Sequence, residues 1–344
     1  MNYVVLLALY ALTLCGATTD LCIGQDLESI KAYNDQFGKP ITYMSYTNLT
    51  SLSGVFTPID YGSGIQHAQA LLNLQPGPNL NLGLWLGGLD GLLSIVNGEL
   101  DYNINLLSKF VNNNPTSKIY LRIGYEFDNP SFNYQTTPPS NLYIKAYNHI
   151  SEMLVNNTNI VRVWHSYSQE PLMLDSFWPG SENVDMIGVS LFKSPFNEYG
   201  AESMNSVNEV FDFAKSKSKK VMIAESASFG GTDITWFNRI LELMESQPVE
   251  IWCYISTNWD VQPQWKGIGF GDTRVPQSWW RKNVIENLRF AKYSVVSSSS
   301  NPLKKNGFYR WGMLFVCGVM GVMMVLGCFW KRGNGYALIQ DVEE

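Results

Sequence analysis

Eight short apolar runs recur between residues 18 and 293. They read as strands at Asp20–Gly24, Pro40–Tyr46, Asn79–Trp85, Ile119–Tyr125, Val161–Ser166, Val184–Leu191, Lys220–Ala224 and Glu250–Ser256. Between them lie segments with apolar residues three and four apart, the period of a helix face: Asp101–Val111, Leu142–Leu154, Val207–Lys217 and Trp236–Glu245, with Ser278–Ala291 after the last. The strands are apolar almost throughout rather than at alternate positions. That pattern suits a parallel sheet covered on both faces. Eight strand–helix units in about 250 residues match a closed (β/α)8 TIM barrel. A doubly wound open sheet would want a Gly-rich phosphate turn after a strand, and none has the right spacing. The expected fold class is therefore α/β, one (β/α)8 TIM barrel over residues 18–293.

The two ends are apolar for other reasons. Val4–Cys15 is a short greasy run followed by the small residues Gly16 and Ala17, the pattern of a secretory signal peptide over residues 1–17. A Ser-rich stretch opens a stalk over residues 294–310. Trp311–Trp330 holds no charged side chain. A helix of that length, at about 1.5 Å per residue, covers the ~30 Å hydrocarbon core of a bilayer. Tryptophans bracket it and Lys331-Arg332 close it. Residues 331–344 are then a cytoplasmic tail. The expectation is a single-pass type I membrane protein with its barrel outside the cell or in a lumen, at the cell surface or in an endosomal or lysosomal membrane. In the tail, Tyr336-Ala337-Leu338-Ile339 resembles a tyrosine-based sorting motif. That resemblance implies a clathrin-adaptor-type partner with pockets for Tyr336 and Ile339. Sequons place N-glycans on Asn48 and Asn156. Of the five cysteines only Cys22 and Cys253 fall within the barrel. One disulfide is the maximum, and their apolar strand context favours two buried free thiols. The excess of 30 acidic over 24 basic residues leaves no basic surface to neutralise phosphates, which argues against nucleic acid as a partner.

In a barrel, chemistry gathers at the C-terminal ends of the strands. Here those ends carry Gln25 and Asp26, Thr47 and Asn48, Glu126 and Asp128, His165 to Tyr167, Phe192, Glu225, and Trp259 with Asp260. Glu126 and Glu225 each end a hydrophobic strand, where an unpaired carboxylate is costly. Their strands, the fourth and seventh, face each other across a barrel mouth. Two carboxyl groups there can flank a glycosidic bond, one as acid and then base, the other as nucleophile. Retention requires them ~5–5.5 Å apart. The blander alternative is a pair of interior salt bridges, Glu126 with Arg122 and Glu225 with another cation. Around the pair, Asp26, Arg122, Tyr125, Asp128, His165, Tyr167, Phe192, Trp259 and Asp260 are candidate contacts to a carbohydrate substrate. Aromatic faces stack on pyranose C–H faces and polar groups read hydroxyls. Asp26 suits equally well the cap of a helix starting at Leu27. No His-x-x-x-His or Cys-x-x-Cys spacing suggests a metal, no cofactor is called for, and no Gly-x-Ser-x-Gly elbow suggests a serine hydrolase.

Three stretches resemble a known family: Arg122-Ile123-Gly124-Tyr125-Glu126, Ile223-Ala224-Glu225, and Trp178-Pro179-Gly180 followed by Val184-Asp185-Met186-Ile187-Gly188-Val189-Ser190. They look like clan A glycoside hydrolases, family 26 (the β-mannanase family) in particular, and the resemblance covers most of residues 20–290. It implies Glu126 as acid/base and Glu225 as nucleophile of a retaining enzyme. Two positions depart from the pattern. Tyr125 stands where the family usually has His, and the end of the sixth strand offers Phe192 where the family has a Tyr that touches the nucleophile. The main expectation is a membrane-anchored retaining glycoside hydrolase acting on a β-linked glycan. The alternatives are a catalytically inactive glycan-binding barrel and a barrel that mediates protein contacts.

Overall fold

The computed structural model describes residues 18–134, 141–168, 172–192, 201–287 and 289–291. The expected signal peptide, stalk, apolar run 311–330 and tail with Tyr336 and Ile339 lie outside the described residues. No helix among the described residues is long and apolar enough to cross a membrane.

Eight parallel strands follow one another around a closed barrel: β1 Thr19–Gly24, β2 Thr42–Asn48, β3 Asn79–Trp85, β4 Ile119–Ile123, β5 Ile160–Ser166, β6 Met186–Leu191, β7 Lys220–Ser226 and β8 Val249–Ile255. Pairing of β1 with β8, from Asp20 opposite Ile251 to Gly24 opposite Ile255, closes the ring. All eight expected strands are present, with ends shifted by no more than a few residues. β4 stops earliest. Gly124 has φ +56° and Glu126 φ +51°, so the backbone leaves the extended region. At Gly124 a Cβ would sit 2.8 Å from both Leu86 Cδ1 and Tyr143 Cε2, so only glycine fits this turn.

Helices α1 Leu27–Phe37, α2 Gly88–Val96, α3 Asp101–Asn112, α4 Asn141–Met153, α5 Ala201–Ser216 and α6 Ile234–Ser246 surround the sheet. Four of the five expected helices are there. The fifth, expected as Ser278–Ala291, is instead a short turn Gln277–Trp280, a π turn Arg281–Ile285 and a strand pair of Phe290–Ala291 with Thr19–Asp20. Its apolar residues do not form one helical stripe. Trp280 is fully buried with its Nε1 donating to Tyr33 Oη at 2.9 Å, and Phe290 packs on Trp252 with ring centroids 5.5 Å apart. Two helices are not evident from the spacing alone. α1 begins at the Asp26 cap, and α2 follows Gly87 and Gly88, both at positive φ, so its start reads as a loop.

Most of the core lies between the strands and the helices. A second, smaller apolar cluster inside the barrel includes Cys22, Met44, Val163, Met222, Ala224 and Cys253. Cys22 and Cys253 are register partners across the β1–β8 seam and form a disulfide. This corrects the expectation of two free thiols. The two residues are 231 positions apart, and only closure of the ring makes them neighbours. Because the cross-link joins the first strand to the last, reduction is expected to cost about 2–4 kcal/mol of stability. Urea unfolding with and without reductant, set against a Cys253→Ala variant, measures it. An unchanged midpoint would remove the disulfide from the stability of the barrel.

Candidate active site

The site is organised around one buried cation. Arg122 lies mid-β4, fully buried, and its Nη1 donates to Glu225 Oε1 on β7. The guanidinium carbon sits 4.9 Å from the Tyr46 ring centroid and 5.3 Å from that of Tyr125. Tyr46 stands close enough to Glu225 for that charge to raise its hydroxyl, which donates to Met44 Sδ at 3.6 Å. The expected interior salt bridge therefore exists, but it joins Arg122 to Glu225 and not to Glu126.

Glu126 follows the Gly124 turn, in a backbone conformation non-glycine residues seldom adopt. Its Oε1 accepts from Ser190 Oγ at 2.6 Å and its Oε2 from Asn129 Nδ2 at 2.9 Å. A carboxylate oxygen of Glu126, one of Glu225 and a ring nitrogen of His165 all lie within 4.8 Å of one another. Burial, then the charge of Glu225, pushes the Glu126 carboxyl up to about 8, against the opposing bonds from Ser190 and Asn129. At neutral pH it is mainly the protonated acid. His165 is buried, and burial with the Arg122 charge holds its imidazole neutral, well below its usual range. A cation would need these same three groups. Both ring nitrogens of His165 are already taken, by Arg122 and by Ser190, and Glu225 already has its cation. The donor set does not fit a metal ion.

The other expected contacts divide. Tyr125, half-buried, stands over Arg122. Tyr167 is half-buried, and burial with the nearby charges of Glu126 and Glu225 raises its hydroxyl, which places it at the carboxyl pair. Phe192, also half-buried, stacks on Phe229 with centroids 4.9 Å apart and planes 11° apart. Phe229 stacks in turn on Phe270 at 4.2 Å. Trp259 lies behind these rings, 3% exposed, with Nε1 donating to Gln25 Oε1 at 3.2 Å. It supports the wall rather than offering an open face.

Asp128, Asp26 and Asp260 are engaged with the protein. Asp128 is buried and accepts from Ser166 Oγ at 2.6 Å and from the Tyr167 backbone N–H at 2.5 Å, tying the end of β4 to the end of β5. Asp26 caps α1, accepting from the backbone N–H groups of Glu28 and Ser29 at 3.1 and 3.0 Å. Asp260 is exposed and accepts from Gly271 N–H at 3.2 Å, bracing its own loop. Sequence reading missed Tyr46, Ser190 and Asn129. Tyr46 and Ser190 were in the strand runs, but nothing in a single chain says which inward residues of separate strands meet.

No family model matches the chain. β-1,3-Xylanases from an Alcaligenes species and a Vibrio species are each 26% identical to it over 312 residues, 79% of this chain. The chain spans 64% and 65% of their respective lengths. A family 26 β-mannanase from Bacteroides ovatus matches its fold with a TM-score of 0.59, at 11% identity over 83% of this chain and 95% of that one. A Bacillus subtilis mannanase gives 0.55, at 12% identity over 78% and 86%. In fold, the chain is similar to these mannanases, a closed (β/α)8 barrel. The sequence resemblance to family 26 and the solved structures agree, and these relatives are all glycoside hydrolases.

Glu126 makes a prediction about stability. Its carboxyl holds a proton to about pH 8 when folded, against an ordinary value of 4.5. Between those values the folded state binds more protons than the unfolded one, so stability falls as pH rises through that window. Glu126→Gln removes the penalty. It should leave stability unchanged near pH ~4 and raise it, on the order of a few kcal/mol, by pH ~8. Urea unfolding of both proteins across this range is the measurement. A gain independent of pH would mean that Glu126 is not held protonated.

Proposed function

We propose that the barrel is a retaining glycoside hydrolase that cleaves a β-linked glycan by double displacement. One observation carries the reading: two buried carboxyl groups with oxygens within 4.8 Å, one protonated and the other ion-paired to Arg122. Retaining enzymes hold their carboxyls ~5–5.5 Å apart, and inverting ones ~6.5–9.5 Å apart. In the first step a Glu225 oxygen bonds to the anomeric carbon. The bond from that carbon to the leaving oxygen breaks, and the Glu126 proton passes to that oxygen. In the second step water attacks the same carbon and gives its proton to Glu126. The bond to Glu225 breaks, and both carboxyls return to their starting states.

The substrate class follows from the relatives and the site together. The similar proteins are named for β-1,3-xylan and β-mannan, both neutral β-linked polymers. A ring wall of Phe192, Phe229 and Phe270 beside the carboxyls suits the apolar faces of such sugars. Glu225 keeps a donor in Arg122 although Phe192 brings no hydroxyl, which favours turnover over a glycan-binding barrel without chemistry. Purified barrel should release sugars from β-1,3-xylan or a β-mannan with the β-anomer appearing first by NMR. Glu225→Gln should lower the rate at least about 10³-fold. Binding without product in the wild type would make the barrel a lectin-like one instead.

We also propose that this barrel works outside the cytosol, anchored in a bilayer through residues 311–330 as a type I protein of the cell surface or an endolysosomal membrane. The apolar run, the signal-like start and the Cys22–Cys253 disulfide support this, since disulfides persist in oxidising compartments. So does Asn156, which is exposed, whereas Asn48 ends β2 half-buried. Enzymatic removal of N-glycans should lower the apparent mass, Asn156→Gln should lessen that change, and deletion of residues 311–344 should release the barrel into the medium. A full chain that stays in the cytosol without glycans would refute the anchor. Tyr336 and Ile339 are then the proposed adaptor contacts of the tail.

A further inference from the structure

A line of buried polar groups runs up behind Glu126, and the two displacement steps do not use it directly. Arg122 Nη1 lies 3.4 Å from His165 Nδ1. His165 Nε2 lies 2.9 Å from Ser190 Oγ, and Ser190 Oγ lies 2.6 Å from Glu126 Oε1. All four residues are buried. The directions at His165 are forced, and the direction at Ser190 holds for the ionised carboxyl, which can only accept. A guanidinium has donors only, so His165 Nδ1 accepts. A neutral imidazole then carries its proton on Nε2 and donates to Ser190. The hydroxyl proton of Ser190 is directed to Glu126 Oε1. The chain therefore points one way, from a permanent cation to a carboxyl group.

We propose that His165 and Ser190 are positioning residues for the acid/base: through this one-way chain they fix the Glu126 carboxyl and favour its ionised form, which the second displacement needs. The proposal rests on the acid/base role of Glu126 given above. Of the other groups that face Glu126, the charges of Glu225 from β7 and Asp128 from its own loop oppose ionisation, while Tyr125 from that loop and Tyr167 from beyond β5 face it as neutral phenols. Asn129 is the other donor to Glu126, and Arg122 is committed to Glu225. Without Ser190 the carboxylate left by the first step would lose a donor, would regain a proton from solvent at a higher pH, and would then be unable to take one from the attacking water.

The test uses the whole protein and two readouts. Ser190→Ala should move the alkaline limb of the kcat/KM profile up by about one pH unit, the size expected for one lost bond to a charged group. With an aryl glycoside whose second step limits turnover, kcat should fall about tenfold. Ser190→Thr keeps the hydroxyl and should restore the wild-type limb. His165→Gln leaves the hydroxyl undirected and should give a smaller shift of the same sign, which keeps the test open if Ser190→Ala does not fold. Titration of the Glu126 carboxyl by 13C NMR, assigned with Glu126→Gln, reads the same shift without any turnover. A Glu126 that titrates alike in wild type, Ser190→Ala and His165→Gln overturns the chain. A shifted titration in a wild-type protein that cleaves no glycan instead overturns the hydrolase reading and leaves the chain standing.

Discussion

The Arg122–Glu225 ion pair is the interaction on which the mouth of the barrel depends. It joins β4 to β7 across the interior, from strands that share no backbone hydrogen bond. A buried pair is stabilising only when its geometry and remaining bonds offset the loss of water around both charges. Here two tyrosine rings pack beside the guanidinium, and its Nη1 also reaches His165 Nδ1 at 3.4 Å. Room for this comes from β3. A Cβ at Gly83 would lie 2.8 Å from Arg122 Nη2 and 2.7 Å from Tyr46 Cδ1. A side chain there would push apart the groups that hold the nucleophile candidate in place, so a residue that touches no carboxyl decides whether the pair can form.

The placement of this one cation also makes the surroundings of the two carboxyls differ. Had Arg122 bonded Glu126, the two environments would be exchanged. Instead Glu225 receives the charge, and Glu126 receives only neutral donors, Ser190 and Asn129, in a buried pocket next to another carboxylate. Two acids of the same type, less than 5 Å apart at their nearest oxygens, thus differ by position alone: one is ion-paired, and burial beside it pushes the other up. Ser190 serves both sides of this division. Its strand partner across the β6–β7 ladder is Glu225, while its hydroxyl serves Glu126.

How much of this was legible in the sequence follows from the range of each signal. The strands were readable because burial on both faces makes their apolar runs nearly continuous, and counting them gave Glu126 and Glu225 their places across the mouth. The helix after β8 was misread because Trp280 and Phe290 are apolar for packing against the barrel and not for one helical face. The pairings that build the site lay beyond reach. Cys22 meets Cys253, and Ser190 meets Glu126, only through ring closure and strand register, neither of which leaves a local pattern. Asp26 was evenly poised between sugar contact and helix cap, and the two backbone N–H groups it accepts from decide for the cap.

The departure at Phe192 shows why residue-by-residue transfer is weaker than geometry. The family pattern has a tyrosine near the end of the sixth strand touching the nucleophile. What the nucleophile requires is a donor at a point in space, and any strand that reaches that point can supply it. Here β4 does so with Arg122, on whose guanidinium the Tyr46 ring of β2 packs. Phe192 on the β6 side has no hydroxyl to add. An apolar ring there can stack on Phe229 and extend the wall through Phe270. The donor to Glu225 stays in place while one side of the mouth becomes more apolar. The departure at Phe192 therefore changes the wall of the mouth and leaves the Arg122–Glu225 pair as it is.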